Sequence, residues 1–167
     1  PRKGRGIPRG DAYVLNDPYR GGTHLPDITV IVPVFYGARD TDPSAYVAAR
    51  GHHAGVGGIA PGSMPPDSRS IDEEGVLIDN ELLVDQGHFR EREIRELLTS
   101  GQWPARNVDR NISDLKAQLA ACVRGTDVLA QTARDYGPGV VAAYMDHVLA
   151  NAEESVGRVV DRLDEAE

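Results

Sequence analysis

The stretch that decides the fold is "ITVIVPVFYGARDTDPSAYVAARGHH", residues 28–53. Its first nine residues, Ile28–Tyr36, are dominated by β-branched and aromatic side chains, which suit a pleated and mostly buried surface. "YGARDTDPSA" then supplies turn residues, and "AYVAAR" (Ala45–Arg50) resumes the strand-like pattern. Two such runs joined by a Gly/Pro/Asp segment predict an antiparallel hairpin with a loose loop. Pro33 cannot donate to a ladder, so its presence predicts an edge strand or a bulge at that point.

Upstream lies "AYVLN", another short strand-like run, followed by "NDPYRGGTHLPD" (Asn16–Asp27). This is too irregular for a helix and too polar for a buried strand. His24 and Asp27 form an H-x-x-D pair stiffened by Pro26, which also keeps residue 25 extended. At the far end of the hairpin stand His52 and His53. If the two runs pair antiparallel, the end of the second returns beside the start of the first, where Asp27 sits. Neighbouring residues on an extended chain face opposite ways, so only one of His52 and His53 should reach a common centre with His24 and Asp27. Two imidazoles and a carboxylate suit a divalent metal with open positions, an acid/base pair, or a purely structural polar cluster.

Beyond the hairpin, "GHHAGVGGIAPGSMPPD" has no periodicity and reads as a long loop, a length often tied to function. Its "GVGGIAPG" could offer backbone N–H groups to an oxyanion, but it lacks the G-x-x-x-x-G-K-[ST] arrangement of a P-loop. No G-x-S-x-G elbow is present either. After His88 the period becomes helical. "REREIRELLTSG" predicts a short helix, and "NISDLKAQLAACVRGTDVLAQTARDYG" a long one with Ile112, Leu115, Leu119, Cys122 and Leu129 on one stripe. Asp114 is a candidate cap for it or a residue reaching the site. Gly137-Pro138 breaks the pattern, and a further helix carries Val141, Tyr144, Val148, Ala152, Val156, Val159 and Leu163 at spacings of three and four. His88 and His147 read as surface residues on helical segments.

The expected class is therefore α+β: a small antiparallel β-sheet with long Gly/Pro loops, then a short helix and a long antiparallel helical hairpin. We expect a flexible arm over residues 1–10, a β-rich site-bearing region over 11–87 and a helical region over 88–167. Among 167 residues, 18 Lys and Arg against 26 Asp and Glu give a net charge of −8, which does not attract nucleic-acid backbones or anionic lipid. The basic "PRKGRGIPRG" is a local exception set among Gly and Pro. The single cysteine, Cys122 in "LAACV", excludes an internal disulfide and reads as core filler. No signal peptide and no membrane-spanning run is visible, so a cytoplasmic location is expected. A start without Met, in loop-like sequence, leads us to expect a piece of a longer polypeptide.

Taken in order, "GDAYVLNDPYRGGTHLPDITVIVPVF", "ARGHHAGVGGIAPGSMPPDS", "EEGVLI" and "DLKAQLAA" resemble the hydantoinase B/oxoprolinase family from about Gly10 to about Tyr136. The resemblance implies a B-type subunit, or a fragment of one, of an ATP-dependent hydrolase that opens cyclic amides such as hydantoin or 5-oxoproline. It further implies an A-type partner that handles ATP in a hetero-oligomer. His24, Asp27 and His52 would hold a divalent metal (Mn, Zn or Fe). His53 would be the alternate ligand and, with Asp17, a catalytic candidate. Asn16, Asp17 and Thr23 would shape the site around them. A family carboxylate is missing at Gly55, and if that acid is a ligand or base, activity is altered or lost. Rival readings are an ATP-dependent ketone carboxylase subunit of the same family, a non-catalytic assembly fragment, and a stand-alone metallohydrolase.

Overall fold

The computed structural model of the protein describes residues 7–164. In chain order the elements are β1 (Ala12–Leu15), β2 (Asp27–Val34), β3 (Ala45–His52), α1 (Ile71–Glu74), β4 (Glu81–Asp85), β5 (His88–Phe89), α2 (Glu91–Leu98), α3 (Val108–Tyr136) and α4 (Pro138–Asp164). The strands form one antiparallel sheet in the order β3-β2-β1-β4-β5, so the α+β class holds.

The β2–β3 hairpin forms as the sequence predicts, with an unbroken register from Asp27↔His52 to Val34↔Ala45. β2 is nevertheless an interior strand, flanked by β1 as well. Pro33 is accommodated because β1 pairs only with Thr29–Ile31, leaving Pro33 opposite Tyr46 of β3 alone. The one register shift lies between Ala12 and Tyr13, on β1. The β4–β5 hairpin and its turn were not expected. Gln86 and Gly87 both adopt positive φ there (47° and 87°), the requirement of a two-residue turn whose twist matches its strands. His88 accordingly stands in a strand rather than a helix.

The chain divides into two compact units, residues 1–128 and 129–167. In the first, α2 and the opening turns of α3 contribute Ile94, Leu98, Ile112, Leu115 and Cys122 to a core shared with Val14, Ile28, Val30, Val56, Ile78 and Leu83. Alternation along β2 sends Ile28 and Val30 inward, and the 3.6-residue period of α3 returns Ile112, Leu115, Leu119 and Cys122 to one side. Gly125 marks a close approach of α3 to β3, because a Cβ there would lie 2.9 Å from a Val47 methyl. The start of α3 is capped by Asn107, whose Oδ1 accepts from the Arg110 N–H at 3.1 Å, and not by Asp114, which sits about two turns into the helix, 4.0 Å from Arg110. In the second unit, Val141 is the one buried residue of α4 among the described residues; Val148, Val156, Val159 and Leu163 of the expected stripe are exposed.

Residues 1–6 of the expected arm lie outside the described residues. Arg9, within the same expected span, donates to the Gly37 carbonyl at 2.7 Å and lies over the Phe35 ring. Among the described residues no helix is long and apolar enough to cross a membrane.

Candidate metal centre

The polar loop between β1 and β2 is built from the inside out. Asn16, fully buried, ends β1 and donates from Nδ2 to the carbonyls of Leu25 and Val76, both at 2.9 Å. Its Oδ1 accepts from the Ile78 N–H at 2.6 Å. One amide thereby joins the start of the loop, its end and the 76–78 segment. Asp17 shapes the next turn: its carboxylate accepts from the Tyr19 N–H, and its carbonyl accepts from those of Arg20 and Gly22. Gly22 is required here, since a Cβ would fall 2.4 Å from the Asn16 carbonyl oxygen. Leu25 plugs the loop into the core, and the Asp27 N–H closes a turn onto the His24 carbonyl at 2.9 Å.

That turn puts His24 and Asp27 on the same side. The register sets His52 opposite Asp27 across the ladder. The Asp27 carboxylate is shared: Oδ2 lies 3.0 Å from His24 Nδ1 and accepts from Thr23 Oγ1 at 3.0 Å, while Oδ1 lies 3.0 Å from His52 Nδ1. The two imidazoles stack, with centroids 5.2 Å apart and planes inclined by 28°. Burial pushes the Asp27 carboxyl up, but hydrogen bonds from His52 and Thr23 and the charge the two rings can carry outweigh it, leaving the group below its ordinary value. One donor atom from each of His24, Asp27 and His52 lies within 4.8 Å of the others. Two ring nitrogens and a carboxylate oxygen at one partly exposed point fit a divalent cation with positions left for substrate.

His53 faces the other way, as alternation along the strand demands, and is 1% exposed. Its Nε2 lies 3.0 Å from Gln118 Oε1, and its Nδ1 lies 3.0 Å from Asn111 Nδ2. Gln118 donates in turn to the carbonyls of Ile28 and Ala49, and Asn111 to that of Gly55. Because both amide nitrogens must face carbonyls, His53 accepts at Nδ1 and donates at Nε2. Both ring nitrogens are occupied. This network locks α3 onto the β3 terminus directly behind His52. Asn111 and Gln118 are the site residues that sequence reasoning missed; only α3's tight packing on β3 makes them more than polar positions on a helix.

The glycine-rich loop does not present free N–H groups at several of its positions. Those of Val56, Gly58, Ile59 and Ser63 donate to Ser63 Oγ, Trp103, Glu73 and Ala60 respectively. A Cβ built on Gly55 would face Gly62 and Ser63 at 3.6–3.9 Å, in ordinary contact. Space alone therefore does not demand a glycine at position 55. Asp17, with its carboxylate on Tyr19 and Arg20, has no contact with the triad among its hydrogen bonds and ion pairs.

Comparison with known proteins gives a consistent result. The hydantoinase B/oxoprolinase profile matches residues 2–167. The chain is 47% identical over 161 residues to 5-oxoprolinase 1 of Arabidopsis thaliana and 46% identical over 147 residues to 5-oxoprolinase of Dictyostelium discoideum. These alignments cover 92% and 88% of the chain but only 12% and 11% of the relatives, so the chain spans about one eighth of their length. Among solved structures, the ATP-dependent caprolactamase from Pseudomonas jessenii superposes with a TM-score of 0.68 at 33% identity, covering 82% of this chain and 22% of that one. A nucleotide-free acetone carboxylase superposes with a TM-score of 0.69 at 20% identity over 84% of this chain and 17% of that one, a likeness of fold. With the profile match spanning residues 2–167, the stretch that holds the H-x-x-D turn, the paired histidines and the sheet that unites them, the chain belongs to the hydantoinase B/oxoprolinase family.

Proposed function

We propose that this chain is the metal-bearing part of the B-type component of an ATP-dependent cyclic-amide hydrolase that opens rings of the 5-oxoproline or hydantoin kind. The observation that carries the proposal is the convergence of His24, Asp27 and His52 from a rigid loop and two strand ends. These three residues would hold a divalent cation (Mn, Zn or Fe), which when bound supplies Lewis-acid polarisation of the substrate carbonyl. The chain's own residues supply the frame. Asp27 fixes the orientation of both rings, Thr23 fixes Asp27, and the buried His53–Asn111–Gln118 network holds the strand end that carries His52. His53 is thus a positioning residue in this reading. Its nitrogens are saturated, so it is poorly placed to trade protons with substrate.

ATP chemistry falls to an A-type partner, in keeping with the absence of a P-loop, and the working enzyme is a hetero-oligomer in the cytoplasm. Relatives named 5-oxoprolinase at 46–47% identity support ring opening over ketone carboxylation, for which only the shared fold speaks. The test is turnover of 5-oxoproline by the complete B-type protein with its A-type partner. Ring-opened product should form only when ATP, both components and metal are present, and a chelator should abolish it. Turnover without ATP or without the partner would overturn the proposal.

A further inference from the structure

The face of the sheet that carries the triad also carries a fixed cation. Along β3, Arg50 and His52 project to the same outward side, two residues apart, or about 6.7 Å along the strand. They face Thr29 and Asp27 respectively in the β2 register. The Arg50 guanidinium is held at two points: Nε donates to Thr29 Oγ1 at 2.8 Å and Nη2 donates to the Gly21 carbonyl at 2.7 Å. Gly21 belongs to the same loop that supplies Thr23 and His24 to the centre, so one loop braces both the guanidinium and the triad.

A guanidinium has five N–H donors, and these two bonds use two of them. Among the described residues no carboxylate pairs with Arg50, although the chain carries a net charge of −8 and both arginines of α2, Arg92 and Arg95, are ion-paired. The side chain is exposed. A rigid, solvent-facing fork without an acidic partner, one ladder step from a cation centre, is a recognition element for an oxyanion.

We propose that Arg50 is a substrate-binding residue that grips an oxyanion, carboxylate or phosphoryl, of the molecule whose carbonyl lies at the His24–Asp27–His52 centre. The inference rests on the metal-centred reading above and assigns the anion-binding side of that same site. Binding to the guanidinium sets which end of the ring points to the centre, because the two contacts are fixed relative to each other by the β2–β3 ladder.

Calorimetric titration of the manganese-loaded protein with three probes tests it. These are 5-oxoproline, 2-pyrrolidinone (the same ring without the carboxylate) and inorganic phosphate. One charge-assisted contact should make 5-oxoproline bind about 10- to 100-fold tighter than 2-pyrrolidinone. Arg50→Gln should erase that ratio while manganese content stays stoichiometric, and Arg50→Lys, which keeps charge but not the fork, should retain part of it. Competition by phosphate for the 5-oxoproline site, lost in Arg50→Gln, would mark a phosphoryl-accepting fork; no competition would restrict it to the carboxylate. Equal binding of the two rings, no binding of any probe, or an advantage that survives in Arg50→Gln would each overturn the assignment. Loss of manganese in Arg50→Gln with an unchanged ring ratio in Arg50→Lys would show that the residue only braces the loop, overturning it too. Failure of the metal reading shows separately, as wild-type protein without manganese, and the same titrations then score Arg50 on the metal-free protein.

Discussion

Asp27→Ala should leave the protein unable to hold the divalent cation proposed for the His24–Asp27–His52 centre. Wild-type protein loaded with manganese or zinc and passed through gel filtration should retain about one ion per chain, and the variant should retain almost none. Asp27 supplies the one negative charge of the donor set, and it is also the group against which both imidazoles are oriented, His24 through Oδ2 and His52 through Oδ1. Its removal therefore costs a ligand and the alignment of the two that remain. Loss of an outer partner of a metal ligand weakens affinity about 10- to 100-fold, and loss of a ligand that also plays that part should exceed it. Asp27→Asn should fail as well, since an amide keeps the shape but not the charge. His24→Ala should weaken binding less than Asp27→Ala, because it removes one donor and leaves the Asp27–His52 pair intact. Elemental analysis of the purified variants decides the matter: full occupancy in both His24→Ala and Asp27→Ala would end the metal-centred reading.

The second large effect falls on stability. Asn16→Ala leaves the Ile78 N–H and the carbonyls of Leu25 and Val76 without the partners they have in a dry interior. Each unpaired buried group costs about 1–3 kcal/mol, and with partial relaxation the sum should reach about 3–5 kcal/mol. At a typical urea slope of about 1–3 kcal/mol per molar, the unfolding midpoint should drop by one molar or more. Asn16→Asp should be at least as harmful, because it turns a double donor into a buried anion aimed at two carbonyl oxygens. A shift below about 1 kcal/mol for Asn16→Ala would show that water replaces the amide, and that the loop does not depend on it.

The two predictions mark what could be read along the chain. The hairpin was legible because the nine residues Ile28–Tyr36 are all β-branched or aromatic except Pro33, and the pairing then fixes what stands opposite Asp27. The H-x-x-D turn was legible because Pro26 stiffens it. The choice between His52 and His53 was reduced to a question of parity, which the register answers: the outward residue is His52. Less visible was β4–β5, whose strands are short and whose Gln-Gly turn lacks the stronger Asn-Gly or Asp-Gly signal. Asn111 and Gln118 were hidden for another reason. An amide on a long polar helix has the same local sequence whether it meets solvent or a buried ring, and its role depends on contacts made 58 and 65 positions away. The α4 stripe illustrates the converse: apolar spacing predicts a face, and the fold leaves most of that face exposed.

Cys122 gives the molecule a built-in clock. Its sulfur is sealed between α3 and β2, 3.7 Å from the Val30 carbonyl, and burial pushes the thiol up, so a disulfide reagent finds neither access nor thiolate. Colour from such a reagent would thus appear only as fast as the helix lifts from the sheet. Since the sequence holds no second thiol, each mole released reports one chain that has opened and reacted.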